Sequence, residues 1–146
     1  MIAIGSDHGG YALKEEIKVW LTQQGYAFKD FGCGSTASVD YPDYGKAVAQ
    51  AVAGGECEKG LLICGTGIGI SIAANKVKGI RAACCSDCFS AEMTRRHNDA
   101  NILCMGGRVV GVGLALKMTE LFLTTEFEGG RHAGRLAKIT QIEEEQ

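Results

Sequence analysis

No apolar run in this 146-residue chain approaches the ~20 residues that a bilayer-spanning helix requires. Charge of one sign is equally scarce. The 15 basic and 17 acidic residues give a formal net charge of -2, which offers no broad field for nucleic acid or an acidic membrane and confines basic residues to local roles. A secretory leader is also missing from the pattern, since the chain opens directly on a strand-like segment, and a cytoplasmic address is expected. A disulfide framework is not expected either. Seven cysteines, at 33, 57, 64, 84, 85, 88 and 104, form an odd set, and one domain of this length buries roughly two-thirds of its unfolded surface without staples. Cys85-Ser86-Asp87-Cys88 matches C-x-x-C, but no second pair and no nearby histidine complete four zinc ligands. Two small residues at a strand-to-helix junction explain it as well as a metal or redox role does.

What is present is an alternation of apolar stretches of strand length with helical patterns. Met1–Ser6 reads as a strand, and Leu13, Ile17, Trp20 and Leu21 form a helical stripe that closes at Gly25. Strands follow at Ala27–Phe31, Lys59–Cys64, Ile80–Cys85 and Ile102–Met105. Helices are expected from Pro42 to Gly54-Gly55, over Gly67–Lys76, over Ser90–His97, through Leu114 to Phe122, and from about Arg131 after the Gly129-Gly130 break. Gly32–Asp40 is a polar loop. The βαβα order with continuous apolar strands predicts a single α/β domain over residues 1–146, a parallel sheet covered by helices on both faces. Glu143-Glu144-Glu145 opposes the helix dipole, so the last helix is expected to fray.

Ligands of open α/β sheets bind at the carboxyl ends of the strands, and the polar motifs collect there. Ser6-Asp7-His8-Gly9-Gly10 follows strand one. Cys64 and the turn Gly65-Thr66-Gly67-Ile68-Gly69-Ile70-Ser71 follow strand three. Gly106-Gly107-Arg108 follows strand five. A thiol at a strand-to-helix junction lies near the partial positive charge of the helix start, which favours the thiolate, and the glycines let backbone N–H groups approach an anion. Cys64 could equally be a small apolar residue finishing a buried strand, and Asp7 could be a helix cap.

Comparison with known phosphate cradles narrows the chemistry by elimination. A dinucleotide fingerprint counted from Gly65 and Gly67 needs glycine where Ile70 stands, and a P-loop needs a Gly-Lys-Ser/Thr triplet that the chain lacks. A cysteine-phosphatase loop would need arginine at position 70. The remaining role for a thiolate beside backbone donors is attack on a carbonyl, or proton abstraction next to one. Either creates an oxyanion that aligned N–H groups stabilise, by roughly 3–4 kcal/mol per donor. His97 ends a predicted helix, where it either complements the dipole or serves as an acid and base near neutral pH. Arg131 and Arg135, at i and i+4, share one helix face and suit either a phosphate dianion or solvent. The series Leu136, Ile139 and Ile142 indicates that the same helix packs.

Five segments together carry a resemblance. Ser6 to Gly10, Asp40-Tyr41-Pro42-Asp43, Cys64 to Lys76, Arg96-His97-Asn98-Asp99-Ala100-Asn101 and Gly129-Gly130-Arg131-His132 closely resemble type B ribose-5-phosphate isomerases of the ribose/galactose isomerase family, over nearly the whole chain. The resemblance implies a Rossmann-like three-layer α/β/α sandwich with a five-stranded parallel sheet. It implies an aldose–ketose isomerase of the pentose phosphate pathway that uses neither metal nor organic cofactor and works as a homodimer, sometimes within a tetramer. Its active site lies between subunits, and the helix from about Arg131 would pack on the partner. By the same resemblance Cys64 is the base that moves a proton between C2 and C1, with Thr66 beside it in the catalytic group, and the turn Gly65, Thr66, Gly67, Ile68 and Gly69 holds the oxyanion. His97 opens the furanose ring as acid. Asp7 and Asn98 bind sugar oxygens, and His8, Arg108, Arg131 and Arg135 grip the phosphate. Some members replace the cysteine with a glutamate at the position of Ile70, so this chain resembles the cysteine-base branch. A six-carbon substrate such as allose 6-phosphate stays open, as does a noncatalytic sugar-phosphate binder or thiol sensor.

Overall fold

Strands and helices alternate along the computed structural model, which describes every residue from Met1 to Gln146. The elements are β1 (Ile2–Ser6), α1 (Tyr11–Gln23), β2 (Phe28–Asp30), α2 (Tyr41–Ala53), β3 (Lys59–Cys64), α3 (Ile68–Asn75), β4 (Ala82–Cys84), α4 (Cys88–Asn98), β5 (Ile102–Gly106), α5 (Val112–Thr124) and α6 (Arg131–Glu144). The five strands form one sheet in the order β2-β1-β3-β5-β4, and every neighbouring pair is parallel. The expected α/β architecture with helices on both faces is therefore observed.

Side-chain alternation along the strands divides the core in two. Ile2, Ile4, Leu61, Ile63, Leu103 and Met105 face α1, α4 and α5, where Leu13, Ile17, Met118 and Phe122 meet them. Ala3, Leu62, Cys64, Ile102 and Cys104 face α2 and α3, where Val48, Val52, Ile70 and Ala74 close the opposite layer. Each large aliphatic side chain so buried contributes about 1.5–3 kcal/mol. Because β1, β3 and β5 are covered on both faces, they read in the sequence as unbroken apolar runs.

The differences from expectation lie at the edges. β2 and β4 have one neighbour each and shrink to three residues. α4 begins at Cys88, not Ser90, because the Asp87 carboxylate accepts the Ser90 N–H at 2.7 Å and caps the helix. Cys85 and Cys88 accordingly straddle the strand-to-helix junction, and all seven cysteines are free thiols. α6 runs through Glu144, and the Glu143 carboxylate accepts the Gly79 N–H. Its apolar series is not packed as expected, since Ile139 and Ile142 are 47% and 61% exposed and only His132 of this helix is buried. No helix is long and apolar enough to cross a membrane.

Candidate active site

Cys64 is the last residue of β3 and is buried against the α2–α3 layer. The chain then turns sharply. Gly67 takes φ +81°, and a Cβ on it would lie 2.7 Å from the Met105 backbone, so only glycine fits. This conformation returns the Gly67 N–H to the Cys64 sulfur at 3.1 Å. An anionic sulfur is the better acceptor of such a bond, and α3 starts one residue later with its N-terminus toward the same region. The Thr66 Oγ1 accepts the Ile68 N–H at 3.2 Å, which leaves the hydroxyl hydrogen available to a ligand.

Backbone bonds stitch the ends of β1, β3 and β5 into one rim. The Asp7 N–H donates to Ile63 O at 3.2 Å, Gly107 N–H to Cys64 O at 2.8 Å and Arg108 N–H to Gly65 O at 3.1 Å. Asp7 is buried. Its Oδ1 accepts the N–H groups of Gly9 and Gly10 at 2.9 and 3.1 Å, so the carboxylate does hold the turn before α1, while Oδ2 makes no bond within the chain. The His8 Nδ1 accepts the Val39 N–H at 3.2 Å. That places the ring proton of a neutral His8 on Nε2. A methyl on Gly65 would lie 3.4 Å from Arg108 Nη1, which puts this guanidinium over the glycine turn. Tyr41 closes the other side: its ring is so near Gly69 that a Cβ there would come within 2.7 Å. The structure thus gathers Asp7, His8, Cys64, Gly65, Thr66, Gly67, Ile68, Gly69 and Arg108 in one region.

His97, Asn98, Arg131 and Arg135 lie elsewhere. His97 and Asn98 end α4, just before β5 begins at Ile102. Cys64 pairs with Gly106 at the far end of that strand. Four residue steps separate the two ends, roughly 13 Å at ~3.3 Å per residue, so the thiol and the imidazole of one chain do not meet. His97 stacks instead on His132, the second residue of α6, with ring centroids 4.4 Å apart and planes at 15°. A cavity of ≈ 320 Å³ borders His97, Asn98 and Phe89. Arg131 and Arg135 are exposed on α6. Arginine ion pairs in the chain belong to Arg81, Arg95 and Arg96, which leaves Arg108, Arg131 and Arg135 unpaired. A larger groove of ≈ 730 Å³, between α6 and the β4 edge, holds Asn98 but neither His97 nor Cys64.

His97, Glu128 and His132 bring possible metal ligands within 4.8 Å of one another. Ligand lone pairs of imidazole lie in the ring plane, and two nearly parallel planes stacked face to face direct them along parallel lines, not onto one tetrahedral centre. The trio does not fit a metal as it stands. Burial pushes the His132 imidazole below the ordinary histidine range, with the neighbouring His97 and Arg131 adding to the shift and Glu128 opposing it. Burial likewise raises the Cys85 thiol to about 11 and Cys104 well above the ordinary range, so neither is a ready nucleophile. The sequence reading assigned no role to Tyr41, Glu128, His132 or Cys84, whose sulfur lies 3.7 Å from Thr66 O. Tyr41 and His132 stand inside motifs, but contacts made across the fold place all four, and spacing does not reveal them.

Comparison with known proteins gives consistent results. A family model described as ribose/galactose isomerase matches residues 2–139. Ribose-5-phosphate isomerase B of Escherichia coli is 52% identical over 143 residues, covering 98% of this chain and 96% of that one. The solved Clostridium thermocellum ribose-5-phosphate isomerase B superposes with a TM-score of 0.98 at 59% identity, over 99% of this chain and 97% of the other. A Mycoplasma genitalium ribose-5-phosphate isomerase B, solved with bound ribulose-5-phosphate, gives a TM-score of 0.95 at 41% identity, over 99% and 97% of the two chains.

Proposed function

This chain belongs to the ribose/galactose isomerase family, and from that premise we propose that it interconverts ribose 5-phosphate and ribulose 5-phosphate with Cys64 as the base. The Gly67 N–H aimed at the Cys64 sulfur is the observation that carries this reading. His97 protonates the ring oxygen of the cyclic sugar as the C1–O bond breaks. The C1 hydroxyl releases its proton to water, from which His97 is reprotonated, and the C1 aldehyde so formed acidifies the C2–H bond. The Cys64 thiolate takes the C2 proton. The electrons of that bond form the C1=C2 double bond, and the aldehyde oxygen becomes the enediolate oxygen, stabilised by N–H groups of the Gly65–Gly69 turn and by the Thr66 hydroxyl. The O2 proton passes to O1, the C2 carbonyl forms, and Cys64 returns its proton to C1. No step changes the net redox state or consumes a co-reactant.

The free Oδ2 of Asp7 and the Asn98 amide bind sugar oxygens. His8 Nε2 and the unpaired guanidinium groups of Arg108, Arg131 and Arg135 bind the phosphate dianion. Since Cys64 and His97 of one chain lie at opposite ends of β5, the working site combines the thiol half of one copy with the imidazole half of another. A homodimer follows, with α6 contributing to the partner's site. Such an enzyme works in the cytoplasm, within the pentose phosphate pathway.

The test is isomerisation of ribose 5-phosphate by the protein and by Cys64→Ala, beside allose 6-phosphate. Turnover of the pentose phosphate is expected to fall at least 100-fold in the variant. Turnover of only the hexose phosphate would keep the mechanism and change the substrate. Binding without turnover of either sugar would make the protein a noncatalytic binder.

A further inference from the structure

His132 is the one residue that α6 buries, at 6% exposure, and what it lies against is the ring of His97. The planes are 15° from parallel with centroids 4.4 Å apart, close to face-to-face contact. Its Nε2 is buried and has no hydrogen-bond partner. Such orphaned nitrogens are rare in native interiors, and the contact the ring does make within the chain is the face it turns to His97. Glu128 stands at the edge of the stack, its Oε1 3.4 Å from His132 Nε2 and 4.0 Å from His97 Nε2. The Glu128 N–H donates to Arg96 O at 3.1 Å, and its Oε2 lies 3.7 Å from Arg96 Nη1, so the carboxylate is tied to α4 one residue before His97.

We propose that His132 is a positioning residue for His97: its buried ring is the platform that fixes the plane in which His97 presents its proton to the ring oxygen of a cyclic sugar phosphate. The inference rests on the ring-opening role of His97. Two facing imidazoles hold a single proton more readily than two, because like charges in contact repel. Burial, with the neighbouring His97 and Arg131, lowers the His132 pKa, and His97, 41% exposed at the side chain where His132 is 7% exposed, is the member of the stack that faces solvent. An acid held in one plane loses rate steeply when it can rotate, and a misplacement of about 1 Å costs on the order of 100-fold.

The two chemical stages can be read separately. Ribulose 5-phosphate carries its phosphate on the oxygen that would close a furanose, so it is open-chain, and exchange of its C1 hydrogen with D2O reports the Cys64 step alone. Turnover of ribose 5-phosphate needs ring opening as well. For His132→Ala, kcat with ribose 5-phosphate is expected to fall roughly 10- to 100-fold, while KM and the exchange rate stay within about twofold. His132→Phe, a flat ring without a proton, should restore most of kcat. Should His132→Ala undock α6, His132→Leu keeps buried volume without a flat face and gives the same comparison with Phe. Equal losses in both reactions, a raised KM at unchanged kcat, or a Phe variant no better than Leu would overturn the inference. His97→Ala is the control: if it loses exchange as well as turnover, the ring-opening assignment fails and takes the inference with it. If His97→Ala shows the split and His132→Ala does not, the inference alone is wrong.

Discussion

A lysine ammonium buried to 1% side-chain exposure must find a partner for each of its hydrogens, and Lys14 does. Its Nζ donates to both oxygens of Asp30 at 2.8 Å and to Cys33 O at 2.7 Å. Asp30 also accepts Lys18 Nζ at 2.9 Å and the Gly32 N–H at 2.8 Å. Burial pushes the Asp30 carboxyl up, but the bonds from Lys14, Lys18 and Gly32 more than offset it and hold the group below the ordinary carboxylate range. A group whose folded pKa is depressed contributes stability above its unfolded value, near 3.9, and loses it as pH falls through the lower folded value. The urea midpoint is therefore expected to drop as pH is lowered below about 4, and Asp30→Asn should be less stable at pH 7 with a flatter acid limb. An equally steep limb in the variant would refute the assignment. The pair matters to the site because it anchors the start of the loop whose Val39 N–H holds His8. None of this was legible in the sequence. Lys14 adjoins the apolar stripe of α1, and the carboxylate that decides its burial lies 16 positions away. Cys64 was legible because its strand, its glycines and its helix are contiguous.

At the scale of elements, local pattern predicted what local forces determine. The central strands were found because burial on both faces makes them continuous apolar runs. α4 was missed by two residues because its cap is Asp87. α6 was placed correctly, yet its stripe Leu136, Ile139 and Ile142 suggested packing that one chain does not supply. A helix with a single buried residue contributes little to the core it belongs to. Its retained asset is the exposed pair Arg131 and Arg135, one turn apart and free of ion pairs. If they hold phosphate, each charge-assisted contact is worth about 1.5–3 kcal/mol. Arg131→Ala and Arg135→Ala should each raise KM for ribose 5-phosphate by roughly tenfold or more, with kcat changed far less. Competitive inhibition by inorganic phosphate should weaken in step. A fall in kcat at unchanged KM would instead place these arginines in the chemistry.

For the whole molecule, the separation of Cys64 from His97 within one chain carries the strongest consequence. Both motifs were visible in the sequence, but the distance between them was not, because it depends on which end of β5 each motif meets. Cys64 pairs with Gly106 at one end of that strand, whereas α4 delivers His97 to the other. In a two-fold dimer with shared sites, every site draws its thiol from one copy and its imidazole from the other. Cys64→Ala and His97→Ala should then each be inactive as homodimers. Mixed and re-associated, they form heterodimers in which one site inherits both native groups and the other inherits both substitutions. Random pairing of equal amounts makes about half the dimers mixed, and half of their sites intact, so about a quarter of wild-type turnover should reappear. The measurement is ribose 5-phosphate turnover after co-refolding the two variants, beside each refolded alone. Recovery near that fraction requires the groups to meet across an interface. No recovery, with heterodimers demonstrated by a mass tag on one variant, would mean that each chain works with its own thiol and imidazole, and the 13 Å between the ends of β5, roughly four strand steps, would then have to be closed by a rearrangement within one chain.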